Sequence, residues 1–133
     1  MTSVALLADQ LFAAVPGGMG TYVRELLPAL RDADPTLDLT VFHARQDRPA
    51  PLAELDGIPR VELPRGIRSL YPSWNLVGRP PLPASLAGAR VLHAPSPVAI
   101  PPVRPGQRLV VTVHDLAFRL YPSLFPPTWR AMY

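Results

Sequence analysis

The chain has 133 residues, of which 48% are apolar and 17% charged, and it contains neither lysine nor cysteine. This length fits one domain with a substantial core and excludes a disordered chain, while the missing cysteines exclude disulfides, thiolate metal sites and cysteine nucleophiles. The net charge of +3 comes from scattered arginines without interleaved aromatic residues, which argues against a nucleic-acid-binding surface.

The N-terminal residues 1–15 are apolar enough to suggest a signal peptide. However, no positive charge precedes the apolar run, Asp9 interrupts it, and glycines follow where a cleavage site should be. No other stretch approaches the roughly 20 apolar residues that span a bilayer. We therefore expect a cytoplasmic protein, for which contact with the inner face of the membrane stays open.

The first third of the chain alternates strand and helix patterns. Residues 3–8 form a continuous apolar run, which is typical of a strand buried on both faces. A helix is predicted to begin at the glycines of residues 17–20 and to end at Asp34-Pro35, and a second strand is predicted over residues 37–43. The helix has one apolar stripe, formed by Val23, Leu26, Leu27 and Leu30.

The rest of the chain has three further strand patterns. They lie at residues 61–63, 90–94 and 108–115, and residues 45–51 resemble a turn. Helices are predicted near residues 70–77 and from residue 126 onward. Because the connections between strands are about ten residues or longer, the strands should pair in parallel. The predicted fold class is α/β, a Rossmann-like parallel sheet with helices on both faces.

In an open parallel sheet, ligands bind beyond the carboxyl ends of the strands. The segment Pro16-Gly17-Gly18-Met19-Gly20 follows the first strand, and its glycines and free helix amides suit a phosphate. A plain tight turn into the helix explains the same residues equally well. A dinucleotide fingerprint is disfavoured, because its third glycine would fall on Val23 and no acidic residue ends the second strand.

Two polar residues, His114 and Asp115, end the fifth predicted strand. A histidine facing the crevice can exchange a proton near neutral pH or hydrogen-bond a sugar hydroxyl, whereas the alternative is a local backbone cap. His93 lies at the same end of its own strand, where a packed or supporting role is favoured. The three histidines of the chain share no ligand spacing, so we predict no metal site.

Four aromatic residues could stack on a sugar ring, but we expect them to pack in the core instead. They are Tyr71, Trp74, Tyr121 and Trp129.

The chain resembles the N-terminal domain of family 4 glycosyltransferases, the retaining GT-B enzymes that include many bacterial mannosyl- and glucosyltransferases. No single motif carries the resemblance; the order and separation of several segments do. These segments are Gly17-Gly18-Met19-Gly20-Thr21-Tyr22 and the helix that follows, Val91-Leu92-His93-Ala94-Pro95, Val111-Thr112-Val113-His114-Asp115, and Tyr121-Pro122-Ser123-Leu124-Phe125.

The resemblance implies roles for residues on the donor side of the site. Gly17 and Gly18 would lie beside the diphosphate of a nucleotide-diphosphate sugar. His114 matches the histidine that contacts the donor sugar at the reaction centre, and Asp115 would orient or support it. The family generally needs no metal for its chemistry, so no cofactor is expected beyond the donor.

On the acceptor side, the resemblance implies that the loop after the first strand and the first helix help to form the binding site. The candidates are Met19, Thr21 and His93, and the acceptor would be a glycan, a lipid or a small molecule. The transferred sugar would be a hexose, for which mannose is one candidate.

In this family a C-terminal domain holds most of the nucleotide, with a basic pair and an E-x7-E motif. Of the three glutamates here, Glu25, Glu54 and Glu62, the last two have that spacing, but Glu62 lies in the third predicted strand, within the domain that the resemblance covers rather than in a further domain. We therefore expect residues 1–133 to be part of an acceptor-side domain, with the donor-binding domain absent and the chain inactive alone. The alternative is a stand-alone half-domain that acts as a binding or partner module.

Overall fold

A computed structural model describes residues 1–47 and 53–130 of the chain. Its centre is a five-stranded sheet in the order β3-β2-β1-β4-β5, in which every neighbouring pair is parallel. The strands are β1 (Ser3–Leu7), β2 (Asp38–His43), β3 (Arg60–Glu62), β4 (Val91–Ala94) and β5 (Arg108–Val111). The predicted parallel α/β sheet is confirmed.

Two longer helices cover the sheet, and two helical turns follow β5. They are α1 (Gly17–Ala33), α2 (Ile67–Val77), α3 (Ala117–Leu120) and α4 (Pro127–Arg130). Short 3-10 turns lie at Asp9–Phe12, Ala53–Leu55, Ala84–Leu86 and Pro122–Leu124. The predicted turn over residues 45–51 and the predicted C-terminal helix extend partly outside the described residues.

The two longer helices bury apolar stripes on opposite faces of the sheet. On one face, Val23 and Leu27 of α1 belong to a buried cluster with Leu6 and Val41. A fully buried side chain of this kind contributes about 1.5–3 kcal/mol relative to an exposed one. The apolar residues that repeat along α1 with a period of 3.6 residues are therefore the ones that pack against the sheet.

The opposite face is covered by α2. Its Leu70 and Trp74 pack in a second buried cluster with Phe42 and Leu92 of the sheet. Helix α2 ends where Gly78 adopts a left-handed φ of 64°, a conformation that favours glycine. Because α1 and α2 lie on opposite faces, the sheet is covered as the Rossmann-like prediction required.

The fifth strand is shorter than its sequence suggests. It was predicted to continue to Asp115, but its last pairing joins Val111 to Ala94. The amide of Thr112 then donates to the carbonyl of Ala94 at 3.0 Å, which is the last hydrogen bond of this ladder. Because β4 ends at Ala94, residues 112–115 have no strand to pair with and leave the sheet edge as a loop.

The aromatic residues divide between the core and the surface. Tyr71 and Trp74 are buried and their rings stack, with centroids 6.3 Å apart, as predicted. The prediction was wrong for Tyr121, whose side chain is 59% exposed in the segment after α3. The side chain of Trp129 lies outside the described residues.

Candidate functional site

The carboxyl ends of β1, β4 and β5 meet at one edge of the sheet. From β1 the chain turns to β2 and β3 on one side, and it then crosses to β4 and β5 on the other. The switch point of this sheet therefore lies between β1 and β4, which is where open α/β sheets bind ligands. Helix α1 begins after β1 at this same edge.

Tyr22 of α1 holds the polar side chains of this edge together. Its hydroxyl lies 3.1 Å from Oγ1 of Thr112, and its ring meets the ring of His114 edge-on at a centroid distance of 5.0 Å. The ring of His93 lies 6.2 Å from the Tyr22 ring. We call Tyr22, His93, Thr112 and His114 the histidine cluster. It contains both histidines that the sequence analysis selected.

The geometry of His114 fixes which of its nitrogens carries a proton. Nε2 lies 2.9 Å from the carbonyl oxygen of Pro95. A carbonyl oxygen only accepts hydrogen bonds, so Nε2 must donate. In the neutral ring, Nδ1 is then an acceptor, and it has no hydrogen bond to any described residue. Because His114 is exposed, this lone pair is available to a hydroxyl group of a ligand.

His93 has a supporting position. Its Nε2 lies 2.8 Å from Oγ1 of Thr112, which also meets the Tyr22 hydroxyl. Burial lowers the pKa of His93 below its ordinary value of 6.5, because the charged ring loses solvation. The neutral ring therefore shares a hydrogen bond with Thr112, and the tautomer of His93 decides whether Nε2 or the hydroxyl is the donor.

Three glycines lie at the start of α1, and they differ in backbone conformation and in the space around them. Gly17 has a left-handed φ of 60°, and a Cβ on Gly20 would lie 2.1 Å from Cβ of Pro16. A Cβ on Gly18 would meet nothing within 4 Å. No side chain of the described residues caps this helix, and the amides of its first turn have no partners within the helix. The space and the amides at this position both suit an anion.

Two predicted site residues make local contacts. The Asp115 carboxylate accepts the amide of Ala117, the first residue of α3, at 2.9 Å; among the described residues it has no hydrogen bond to His114. Thr21 donates to the carbonyl of Gly17 at 3.2 Å. The His114 ring therefore contacts Pro95 and Tyr22, and within the described residues Asp115 makes no direct hydrogen bond to it.

A cleft of about 700 Å³ opens beside α1 at the carboxyl edge. Met19, a predicted acceptor-side residue, lies in its wall, opposite Tyr71 of α2. Asp9 and Gln10, which follow β1, also line it. A groove of similar volume lies between the other end of α1 and residues 57–59, away from the carboxyl edge.

Asp9 is buried and joins three segments. Its Oδ1 accepts the amide of Ala44 at 2.8 Å and Nε2 of Gln46 at 2.9 Å, and its Oδ2 accepts the hydroxyl of Tyr71 at 2.5 Å. Loss of solvation raises the pKa of Asp9 above its ordinary value of 3.8, although these hydrogen bonds oppose the shift. The same burial and the neighbouring carboxylate raise the pKa of Tyr71 well above 10.

Across residues 1–47 and 53–130, no group of three or more histidine or carboxylate side chains is placed to hold a metal ion. In the same part of the chain, no helix has the length and apolar character needed to cross a membrane.

Three site residues, Asp9, Tyr22 and Thr112, were not selected from sequence. Asp9 had the signal that identified His114, namely a polar side chain directly after an apolar strand. Tyr22 and Thr112 had no comparable signal, because their contact joins residues 90 positions apart.

Comparison with known proteins gives one positive result. Residues 16–133 match a family model described as Glycosyltransferase Family 4, and the match includes α1, the histidine cluster and the segment after β5. The comparisons with curated proteins and with solved structures gave no match.

Proposed function

The chain belongs to glycosyltransferase family 4, and we propose that it forms the acceptor-side part of a retaining GT-B enzyme. This enzyme would transfer a hexosyl group from a nucleotide-diphosphate sugar to a hydroxyl group of an acceptor. Mannose and glucose are the sugars to test first.

The position of His114 is the observation that carries this proposal. Its ring lies at the carboxyl edge, with Nε2 donating to Pro95 and Nδ1 left as an accessible acceptor. A sugar hydroxyl can donate to such a nitrogen. We propose that His114 contacts the donor sugar and holds its reacting carbon toward the acceptor, where orientation contributes to the rate.

The start of α1 would receive the donor diphosphate. Gly18 leaves open space where a side chain would stand, and the first-turn amides have no partners within the helix. These amides and the positive end of the helix dipole favour a negative group. Tyr22 lies one turn beyond Gly18 and contacts His114, so the diphosphate and the sugar would meet neighbouring residues.

Asp115 would act through the backbone. By accepting the amide of Ala117, its carboxylate would hold the turn that directly follows His114. It would therefore be a positioning residue.

The leaving diphosphate also requires positive charge in the transition state. Among the described residues, no arginine makes a hydrogen bond or ring contact with the histidine cluster. We propose that a second domain supplies this charge and most of the nucleotide contacts, and that residues 1–133 are inactive alone.

The direct test is a transfer assay on the protein purified from its source cells, so that any further domain is retained. UDP-glucose and GDP-mannose are each supplied with a panel of alcohols and glycosides, and NMR reports the anomeric configuration of the product. Transfer with retention is the expected result. Inverted product would contradict the retaining mechanism, and absence of transfer and of donor hydrolysis would contradict the enzymatic function.

A partner module remains the second candidate, because apolar side chains are exposed beside β5. Val110, Val113 and Leu116 are 47%, 51% and 52% exposed, and Leu120 is 71% exposed. Such a surface suits a further protein segment. A stable complex between the 133-residue chain and a separate protein in the source cell, without transfer activity in that complex, would favour this candidate.

A further inference from the structure

The cleft beside α1 has the size and the walls of a small-molecule site. Its volume of about 700 Å³ lies within the roughly 300–1,000 Å³ typical of such sites. Apolar groups form most of its wall and come from three segments: Met19 of α1, Ile67, Tyr71 and Pro72 of α2, and Val98 after β4. A ligand that fills the cleft must therefore present an apolar surface.

The polar residues that line this cleft mainly carry hydrogen-bond acceptors. Asp9 presents a carboxylate, and Oε1 of Gln10 is buried without a hydrogen-bond partner in the described residues. The hydroxyl of Ser96 can donate or accept. A buried acceptor without a partner destabilises the empty site, so a ligand that donates a hydrogen bond here is favoured.

These groups also limit the charge of the ligand. An anionic group near Asp9 would be repelled by the carboxylate in a region of low solvation. The one cationic side chain among the lining residues, Arg68, is exposed, so solvent screens its charge. A neutral hydroxyl group can donate to the unpartnered Oε1 of Gln10 without this penalty.

We propose that this cleft binds the acceptor and that the acceptor is an amphipathic alcohol. Its hydroxyl-bearing end would lie toward Asp9 and Gln10, and its apolar group would lie along Met19, Ile67 and Val98. The assignment of this ligand as the acceptor rests on the proposed function, whereas the binding preference itself does not.

Two glucosides that differ only in their apolar part test the preference. Methyl β-D-glucoside and n-octyl β-D-glucoside carry the same sugar hydroxyls, and the octyl compound is used below its micelle concentration. The protein carries ¹³C-methyl methionine, so that Met19 reports on the cleft and Met1, which is 91% exposed, reports on non-specific contact. We expect the octyl compound to bind at least about tenfold more tightly, because each buried methylene favours binding, and to shift the Met19 signal while the Met1 signal stays unchanged.

A matched pair of variants on α2 locates the binding. Ile67 lines the cleft and is 39% exposed, whereas Leu76 lies on the same helix outside the cleft and is 81% exposed. Ile67→Ser should weaken octyl glucoside binding by about tenfold, and Leu76→Ser should leave it unchanged. Equal affinities of the two glucosides, or equal effects of the two variants, would overturn the proposal.

The donor-free binding assay separates this inference from the proposed function. An octyl preference that depends on Ile67, in a protein without transfer activity, would support the ligand class and contradict the enzymatic function. Transfer to acceptors without regard to their apolar part would support the enzymatic function and overturn the assignment of this cleft.

Discussion

The hydroxyl of Tyr22 lies 3.1 Å from Oγ1 of Thr112, although 90 positions separate the two residues. The contact joins α1 to the loop that leaves β5, and the same loop carries His114. Tyr22 also meets the His114 ring directly, at a centroid distance of 5.0 Å. The position of His114 at the sheet edge therefore depends on the packing of α1 as well as on its own strand.

Thr112→Val should destabilise the fold by about 1–3 kcal/mol. The change keeps the side-chain shape but removes the hydroxyl that meets both Tyr22 and Nε2 of His93, which leaves a buried ring nitrogen without a partner. Urea unfolding measures the decrease in the free energy of unfolding. Thr21→Val is the control, because its hydrogen bond to Gly17 is exposed. Equal decreases in the two variants would show that the contacts of Thr112 with Tyr22 and His93 do not stabilise the fold.

Gly20→Ala should destabilise the protein, whereas Gly18→Ala should not. The new Cβ at position 20 would stand 2.1 Å from Cβ of Pro16 and must displace the start of α1, at a cost of about 1–3 kcal/mol. At position 18 it would meet nothing within 4 Å, so replacing glycine in a helix should be neutral or stabilise by up to about 1 kcal/mol. Thermal unfolding of both variants tests this, and similar losses at the two positions would show that the first turn is packed differently.

Gly18→Val should leave the fold intact but raise the KM for the nucleotide-diphosphate sugar. The valine side chain would occupy the open space beside the first-turn amides, where we place the diphosphate. Gly88→Val is the matched control, because a Cβ at that position also meets nothing within 4 Å and the residue lies before β4, away from the carboxyl edge. An unchanged donor KM in Gly18→Val would remove the diphosphate from this position.

Asp9→Asn should change how stability depends on pH. Because burial raises the pKa of Asp9 above 3.8 in the folded protein, the folded state binds this proton more tightly than the unfolded chain. The stability that this proton contributes is therefore present below 3.8 and is lost as pH rises through the raised pKa.

Asparagine preserves the shape and does not titrate. The free energy of unfolding of Asp9→Asn, relative to the original protein, should thus increase through this window and then stay constant. Urea unfolding from about pH 3 to 7 measures the difference; a constant difference or the opposite slope would contradict the assignment.

The sequence predicted the parts of the fold that depend on local patterns. The apolar run of β1 and the helical stripe of Val23 and Leu27 identified their elements, because burial on a fixed face requires that spacing. The end of β5 could not be predicted in the same way, since it is set by the length of β4. The short helix α3 was missed because its four residues have no full helical period.

Only part of the candidate site could be predicted from the sequence. His114 was selected because it follows an apolar strand, whereas Met19 was selected only through the family resemblance. In contrast, the hydrogen bond between Tyr71 and Asp9 spans 62 positions, and it depends on how α2 crosses the sheet. Hydrogen bonds between such distant residues depend on tertiary packing, and a local pattern in a single sequence does not predict them.

The role of His114 is tested most directly by comparing turnover in His114→Ala and His114→Gln, with Ser85→Ala as an exposed control near the opposite edge of the sheet. Glutamine can still donate to the carbonyl of Pro95, but it lacks a nitrogen equivalent to the free Nδ1. We predict that both His114 variants lose at least about a hundredfold in turnover while the protein stays folded, and that Ser85→Ala is unaffected. Near-normal turnover in His114→Gln would show that this histidine only holds its loop, and would contradict its place at the reaction centre.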